Sequence, residues 1–119
     1  MAVLESLSSK LKIERTFWLT NDSDVAVQRG NHAHRFASQL FFCGLGTAEL
    51  LLESLDGESE IITLNRNSEA VLVFPMVWAH VGLEPGTTLT VMSDWSYDEE
   101  EYIRDKTLWL QTLKIKDSL

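Results

Sequence analysis

The sequence predicts an all-β domain finished by one short C-terminal helix. Three observations predict it. Short apolar segments recur at roughly 8–12-residue spacing with turn residues between them, the rhythm of a β-sandwich or barrel. Apolar and polar residues alternate in the first segment with the period of a strand. From about Asp98 onward the period becomes helical. With 119 residues, 45% of them hydrophobic, the chain suits one domain, spanning 1–119, with a real core.

The elements follow in order. Ile13, Arg15, Phe17 and Leu19 alternate with Lys12, Glu14, Thr16 and Trp18, which reads as a strand. Asn21 to Gly30 reads as a loop, and Ser38 to Cys43 as a second strand. Gly44-Leu45-Gly46 interrupts the chain before a third strand, Thr47 to Ser54. Asp56-Gly57 is a hairpin signal joining it to Ser59–Leu64. A polar turn, Asn65 to Glu69, precedes strands at Ala70–Phe74, Val77–Leu83 and Thr87–Ser93, with Glu84-Pro85-Gly86 turning between the last two. At the end, Tyr102, Lys106, Trp109 and Leu113 fall on one helical stripe beside Ile103 and Leu110. The acidic run Asp98–Glu101 lies where a helix dipole favours negative charge and reads as a solvated helix start. The aromatic stripe is expected to pack on the barrel or on a partner subunit.

Charge and composition exclude several classes. A formal net charge of −8 argues against nucleic-acid binding, which needs a basic surface. No apolar run approaches a membrane span. Met1 to Lys12 lacks the basic start and long apolar stretch of a signal peptide. Cys43 is the only cysteine, so no intrachain disulfide forms, and a reduced thiol in an apolar run suits a cytoplasmic protein.

The histidines carry the functional signal. All three lie in two short stretches, Arg29-Gly30-Asn31-His32-Ala33-His34-Arg35 and Phe74-Pro75-Met76-Val77-Trp78-Ala79-His80. On a strand the His32 and His34 rings project from one face. Histidine suits proton transfer near neutral pH and is also the commonest metal ligand. Most acidic residues lie away from this segment, while Arg29 and Arg35 flank it. Local basic charge on an acidic chain suits a phosphorylated small molecule.

The HxH of His32 and His34, followed by Gln39 and the glycines Gly44 and Gly46, is similar in part to the first cupin motif. Pro75 and His80 stand at the spacing of the second, with Val77 in place of its glycine. A closer resemblance covers nearly the whole chain. Arg15-Thr16-Phe17-Trp18, the Arg29–Arg35 segment, Gln39, Pro75-Met76-Val77-Trp78, Ser93-Asp94, Tyr97-Asp98 and Tyr102-Ile103-Arg104 resemble, in order, the nucleotide-sugar 3,4-ketoisomerases of the WxcM-like cupins. The arginine-to-histidine segment joined to the terminal Tyr-Ile-Arg is the specific part.

The resemblance implies a cupin-type, RmlC-like β-barrel or jelly roll and a homodimer. It implies a cofactor-free, metal-free isomerase acting on a dTDP-linked 4-keto-6-deoxyhexose. By motif position His34 is the main base, and His32 assists proton movement or stabilises an enediolate. Arg29, Arg15, Arg35, Gln39 and His80 are expected to bind substrate. Two readings compete: a metal-binding cupin using His32, His34 and His80, with Gln39 as a weak fourth ligand, and a non-catalytic sugar-nucleotide-binding cupin. The chain departs from the family in three places. Ala79 stands where a histidine commonly follows the tryptophan, Phe17 and Trp18 replace paired tyrosines, and fewer residues precede the first matching strand. Strand alternation allows only one of Ala79 and His80 to face the cavity. The family alignment favours Ala79; cupin spacing from Pro75 and the cost of placing an imidazole on an apolar face favour His80, the reading preferred here.

Overall fold

The computed structural model describes residues 12–118, with side chains through residue 112. Strand alternation sorts the side chains into inner and outer sets, and the inner faces close on one another as two antiparallel sheets. The strands are β1 (Arg15–Asn21), β2 (Val27–His34), β3 (Gln39–Leu45), β4 (Ala48–Glu53), β5 (Ser59–Leu64), β6 (Val71–Val73), β7 (Trp78–Leu83), β8 (Thr87–Ser93) and β9 (Tyr102–Ile103), followed by helix α1 (Lys106–Ser118). One sheet runs β1-β8-β3-β6 and the other β5-β4-β7-β2-β9. The hairpin expected at Asp56-Gly57 joins β4 to β5, with Gly57 at φ 91°, where a side chain would be strained. Elsewhere successive strands cross between the sheets, as in a jelly roll.

The core lies between the sheets. Leu50, Leu64, Val81, Leu83, Leu89 and Val91 are buried there, and Phe17 and Leu19 pack at its edge. Cys43 belongs to this core, and burial pushes its thiol up, as for a small hydrophobe. No helix among the described residues is long and apolar enough to cross a membrane.

Two boundaries differ from expectation. β2 begins at Val27, inside the stretch read as a loop, because Val27 to Arg29 pair with Leu83 to Val81 of β7. This long-range pairing is invisible to local pattern. The helix begins at Lys106, not near Asp98. Asp98 caps a single 3-10 turn, Glu99–Glu101, and Tyr102 and Ile103 are then taken by β2, opposite His34 and Ala33. Asp105 starts α1 instead, its carboxylate accepting from the Thr107 amide at 2.9 Å. Tyr102 therefore leaves the expected stripe, Lys106 pairs with Glu53 at 2.8 Å, and Leu110 is exposed. The Leu113 side chain lies outside the described set.

Trp109 carries the helix packing. It is buried with Ala33, Trp78 and Ile103 on the outer face of the β7-β2-β9 sheet. Its ring centroid is 5.5 Å from that of Trp78, and its indole N–H donates to the Met76 carbonyl at 2.8 Å. The Met76 amide donates in turn to the His34 carbonyl at 2.7 Å. Met76 holds φ 68°, a strained value for a residue with a side chain. Helix, loop and the end of β2 are thus tied together at the second histidine. Trp109→Ala should lower stability by about 3–5 kcal/mol, read as a fall in the urea midpoint. A loss under ~1 kcal/mol would show that the helix is not part of the cooperative fold.

Candidate functional site

A bulge in β2 builds the site. Residues three apart on a regular strand face opposite ways. Here Arg29 lies opposite Val81 and His32 opposite Ala79, so β2 carries one more residue than β7 between the two pairs. Gly30 absorbs the extra step at φ 55°. The bulge turns Arg29 and His32 onto the same face, and both border a cavity of about 270 Å³ between the sheets. Its polar lining also takes in Arg15, Asn31, Gln39, Tyr102 and Arg104, while Phe17, Leu19, Phe41, Ala79 and Val81 form an apolar wall. Among the described residues, three guanidiniums and no carboxylate border this cavity, in a chain of net charge −8.

Behind the lining stands a chain of hydrogen-bonded groups. His32 Nε2 and His34 Nε2 are 3.0 Å apart, with the rings edge-on. His34, 7% exposed, places Nδ1 against the Glu101 carboxylate. Glu101 is 3% exposed, and its other oxygen accepts from the Phe36 and Ala37 amides at 3.2 and 3.3 Å. A carboxylate accepting at Nδ1 makes His34 a donor there and, when neutral, an acceptor at Nε2. His32 Nε2 then donates across the pair, which leaves His32 Nδ1 as the buried side-chain atom without a partner among the described residues. Burial and then the neighbouring His34 lower His32 to about 4. Burial also lowers His34, against the opposing pull of Glu101. Both rings are therefore neutral at pH 7 and able to accept a proton.

Tyr102 joins the histidines to the arginines. Its ring centroid is 4.8 Å from His32 and 4.4 Å from His34, and Arg15 Nη2 donates to its hydroxyl oxygen at 3.1 Å. The Arg104 guanidinium lies 4.5 Å over the same ring and donates to Glu99 through Nε at 2.6 Å and Nη2 at 3.0 Å. Arg104, and after it the Tyr97 hydroxyl at 2.6 Å, hold the exposed Glu99 carboxyl down to about 2.

The structure brings together Arg15, Arg29, His32 and Gln39 at the cavity and His34 directly behind them. His32, rather than His34, is the ring on the cavity wall. Two expected binding residues lie elsewhere. His80 is not in the lining: Ala79 faces the cavity with Val81, and alternation turns His80 outward, opposite Leu51 of β4. The trio of His32, His34 and His80 needed for the metal-binding alternative is therefore not assembled. Arg35 lies beyond the end of β2, exposed, with Nε donating to the Glu100 carbonyl at 3.2 Å. Sequence reasoning missed Glu101, Tyr102 and Arg104. The Tyr102-Ile103-Arg104 run carries the signal for two of them; Glu101, the last of four consecutive acidic residues, carries none of its own.

Comparison with known proteins agrees with this architecture. Residues 2–114 match the family described as WxcM-like, C-terminal (FdtA). A TDP-4-oxo-6-deoxy-alpha-D-glucose-3,4-oxoisomerase of Aneurinibacillus thermoaerophilus is 28% identical over 106 residues, 87% of this chain and 74% of that protein. The crystal structure of WlaRA, a TDP-fucose-3,4-ketoisomerase from Campylobacter jejuni, superposes with a TM-score of 0.79 at 25% identity, covering 87% of this chain and 76% of that one. QdtA, a sugar 3,4-ketoisomerase from Thermoanaerobacterium thermosaccharolyticum solved in complex with TDP, gives 0.76 at 29% identity, covering 87% and 75%. The fold is thus the expected cupin-type, RmlC-like one. By sequence match across nearly its whole length and by fold, the chain belongs to the WxcM-like, C-terminal family.

Proposed function

We propose that this protein is a sugar-nucleotide isomerase that moves a ketone between C4 and C3 of a dTDP-linked 4-keto-6-deoxyhexose by histidine acid/base transfer, without a cofactor. The observation that carries this reading is the His32–His34–Glu101 chain, with His32 on the wall of a cavity that, among the described residues, three guanidiniums and no carboxylate border. The relatives named as TDP-sugar ketoisomerases, one of them solved with TDP, support the substrate class.

The C4 ketone acidifies the hydrogen on C3. A neutral imidazole removes it, an enediolate forms, and a proton returned to C4 leaves the ketone at C3. Burial keeps the pair in its base form near pH 7. Once the pair gains a proton, the positive charge can pass across the 3.0 Å contact to His34, beside Glu101. Arg29, Arg15 and Arg104 supply positive charge and the N–H donors not already engaged by Tyr102 and Glu99, suited to a diphosphate, and Gln39 a hydrogen-bonding amide at the sugar. We also propose a homodimer in the cytoplasm. Trp18, 61% exposed on the outer face of the β1-β8-β3-β6 sheet, and the single reduced cysteine support it.

Incubation with dTDP-4-keto-6-deoxyglucose in deuterated water, followed by NMR, should show a 3-keto product with deuterium at its C4, and deuterium at C3 of the remaining 4-keto substrate. Sugar nucleotide bound without exchange would leave a non-catalytic binding protein. His34→Ala should lower turnover by about 10²–10⁴-fold or more while the fold persists. Activity equal to wild type would remove the histidine pair from the mechanism.

The pH dependence has a definite sign. Protonation destroys the base, and both rings protonate below the ordinary histidine value. The acid limb of kcat/KM should therefore fall below pH 6.5, toward about 4. A limb at or above 6.5 would contradict the burial account. The same shift makes the unfolded chain bind more protons than the folded one between these values, so stability should decline as pH falls through that window.

A further inference from the structure

We propose that Tyr102 is a second catalytic residue, the acid that protonates the substrate carbonyl oxygen while the histidine pair takes the carbon-bound proton. This assignment rests on the isomerase reading and deepens it. Moving a ketone between adjacent carbons moves protons at two oxygens as well as at two carbons, so a second group that lends and retakes a proton at oxygen spares the reaction a charged enediolate. The cavity offers few groups for the second role. Arginines hold their protons, and the Asn31 and Gln39 amides do not give theirs up. Phe17 presents no hydroxyl, and Tyr102 supplies the one hydroxyl among the described residues lining the cavity.

The local geometry suits an acid. The Tyr102 ring packs against both imidazoles, at 4.8 and 4.4 Å between centroids, and Tyr102 and His32 border the same cavity, within reach of one substrate. Arg15 Nη2 donates to the hydroxyl oxygen at 3.1 Å, so that hydroxyl keeps its own proton to give. The guanidinium's positive charge also sits where the negative charge of the phenolate would form.

The steps balance. As the imidazole takes the C3 hydrogen as a proton, Tyr102 passes its proton to O4. The C3–H bond and the C4–O π bond break, and the C3–C4 π bond and the O4–H bond form. The enediol is neutral, with a phenolate beside Arg15 and an imidazolium beside it. The phenolate then takes the proton from O3 while the imidazolium returns its proton to C4. The O3–H bond and the C3–C4 π bond break, the C3–O π bond and the C4–H bond form, and both residues are restored.

Tyr102→Phe keeps the ring and removes only the hydroxyl. It should lower kcat by about 10²–10⁴-fold, with the dissociation constant for TDP changed by less than about threefold. Site-specific replacement of Tyr102 by difluorotyrosine keeps the hydroxyl and lowers its proton affinity, so the basic limb of kcat should move to lower pH. A structural role alone would leave that limb in place. If wild type exchanges deuterium at C3 and Tyr102→Phe turns over as fast, the Tyr102 assignment falls and the isomerase reading stands. If Tyr102→Phe fails to fold, an unmoved basic limb in the difluorotyrosine protein overturns the assignment. If wild type forms no 3-keto product, the isomerase reading fails and the Tyr102 role falls with it.

Discussion

A carboxylate buried beside an imidazole is the interaction on which the site depends. Glu101 is almost fully enclosed, and an unpaired charge there would cost several kcal/mol. It is kept by three donors: the His34 ring and the amides of Phe36 and Ala37. That arrangement needs β9 registered on β2, with Tyr102 opposite His34 and Ile103 opposite Ala33. It also needs α1 sealing the outer face over Ala33 and Ile103 through Trp109. Core packing, strand register and ring tautomer are therefore linked. Loosening the helix would reach the imidazole through Met76, which bridges Trp109 and the His34 backbone.

The second organising feature is where the charge goes. The acidic side chains lie largely outside the cavity, and Arg15, Arg29 and Arg104 line it. The charged side chains on the cavity wall are thus opposite in sign to the net charge of the molecule, which suits a diphosphate and still leaves the protein strongly anionic. Arg104 is the restrained member, bound by Glu99 and stacked on Tyr102. Arg15 is tied to the Tyr102 hydroxyl, while Arg29 is carried into place by the bulge at Gly30. Phe17 and Ala79, where the family commonly has tyrosine and histidine, make the wall more apolar.

Much of this was legible in the sequence, for identifiable reasons. Alternation and turn residues located most of the strands; Ser59–Leu64 and Thr87–Ser93 agree end to end. The spacing of His32 and His34 put both rings on one face, and the basic flank marked the site's charge. What failed was long-range. Strand β9 has two residues, too few for a period to register, so the helix was expected too early and Glu101 was read as solvated. Four consecutive acidic residues do not reveal which one a neighbouring strand will turn inward. His80 was expected in the cavity on spacing and burial cost. The register of β7 against β2 and β4 decides otherwise, placing Ala79 opposite His32 and His80 opposite Leu51. The bulge that aligns Arg29 with His32 has only Gly30 as its local mark.

The central claim is that Glu101 fixes the tautomer of His34 and thereby turns the His34 Nε2 lone pair toward the proton on His32 Nε2. Long-range nitrogen–proton NMR on protein labelled with ¹⁵N-histidine reads this directly, since only three histidines contribute signals. At pH 7 the account predicts a neutral His34 carrying its proton on Nδ1 and a neutral His32 carrying its proton on Nε2, with Glu101→Gln disturbing the His34 pattern. A His34 ring protonated on Nε2 alone, or a His34 pattern unmoved by Glu101→Gln, would contradict it.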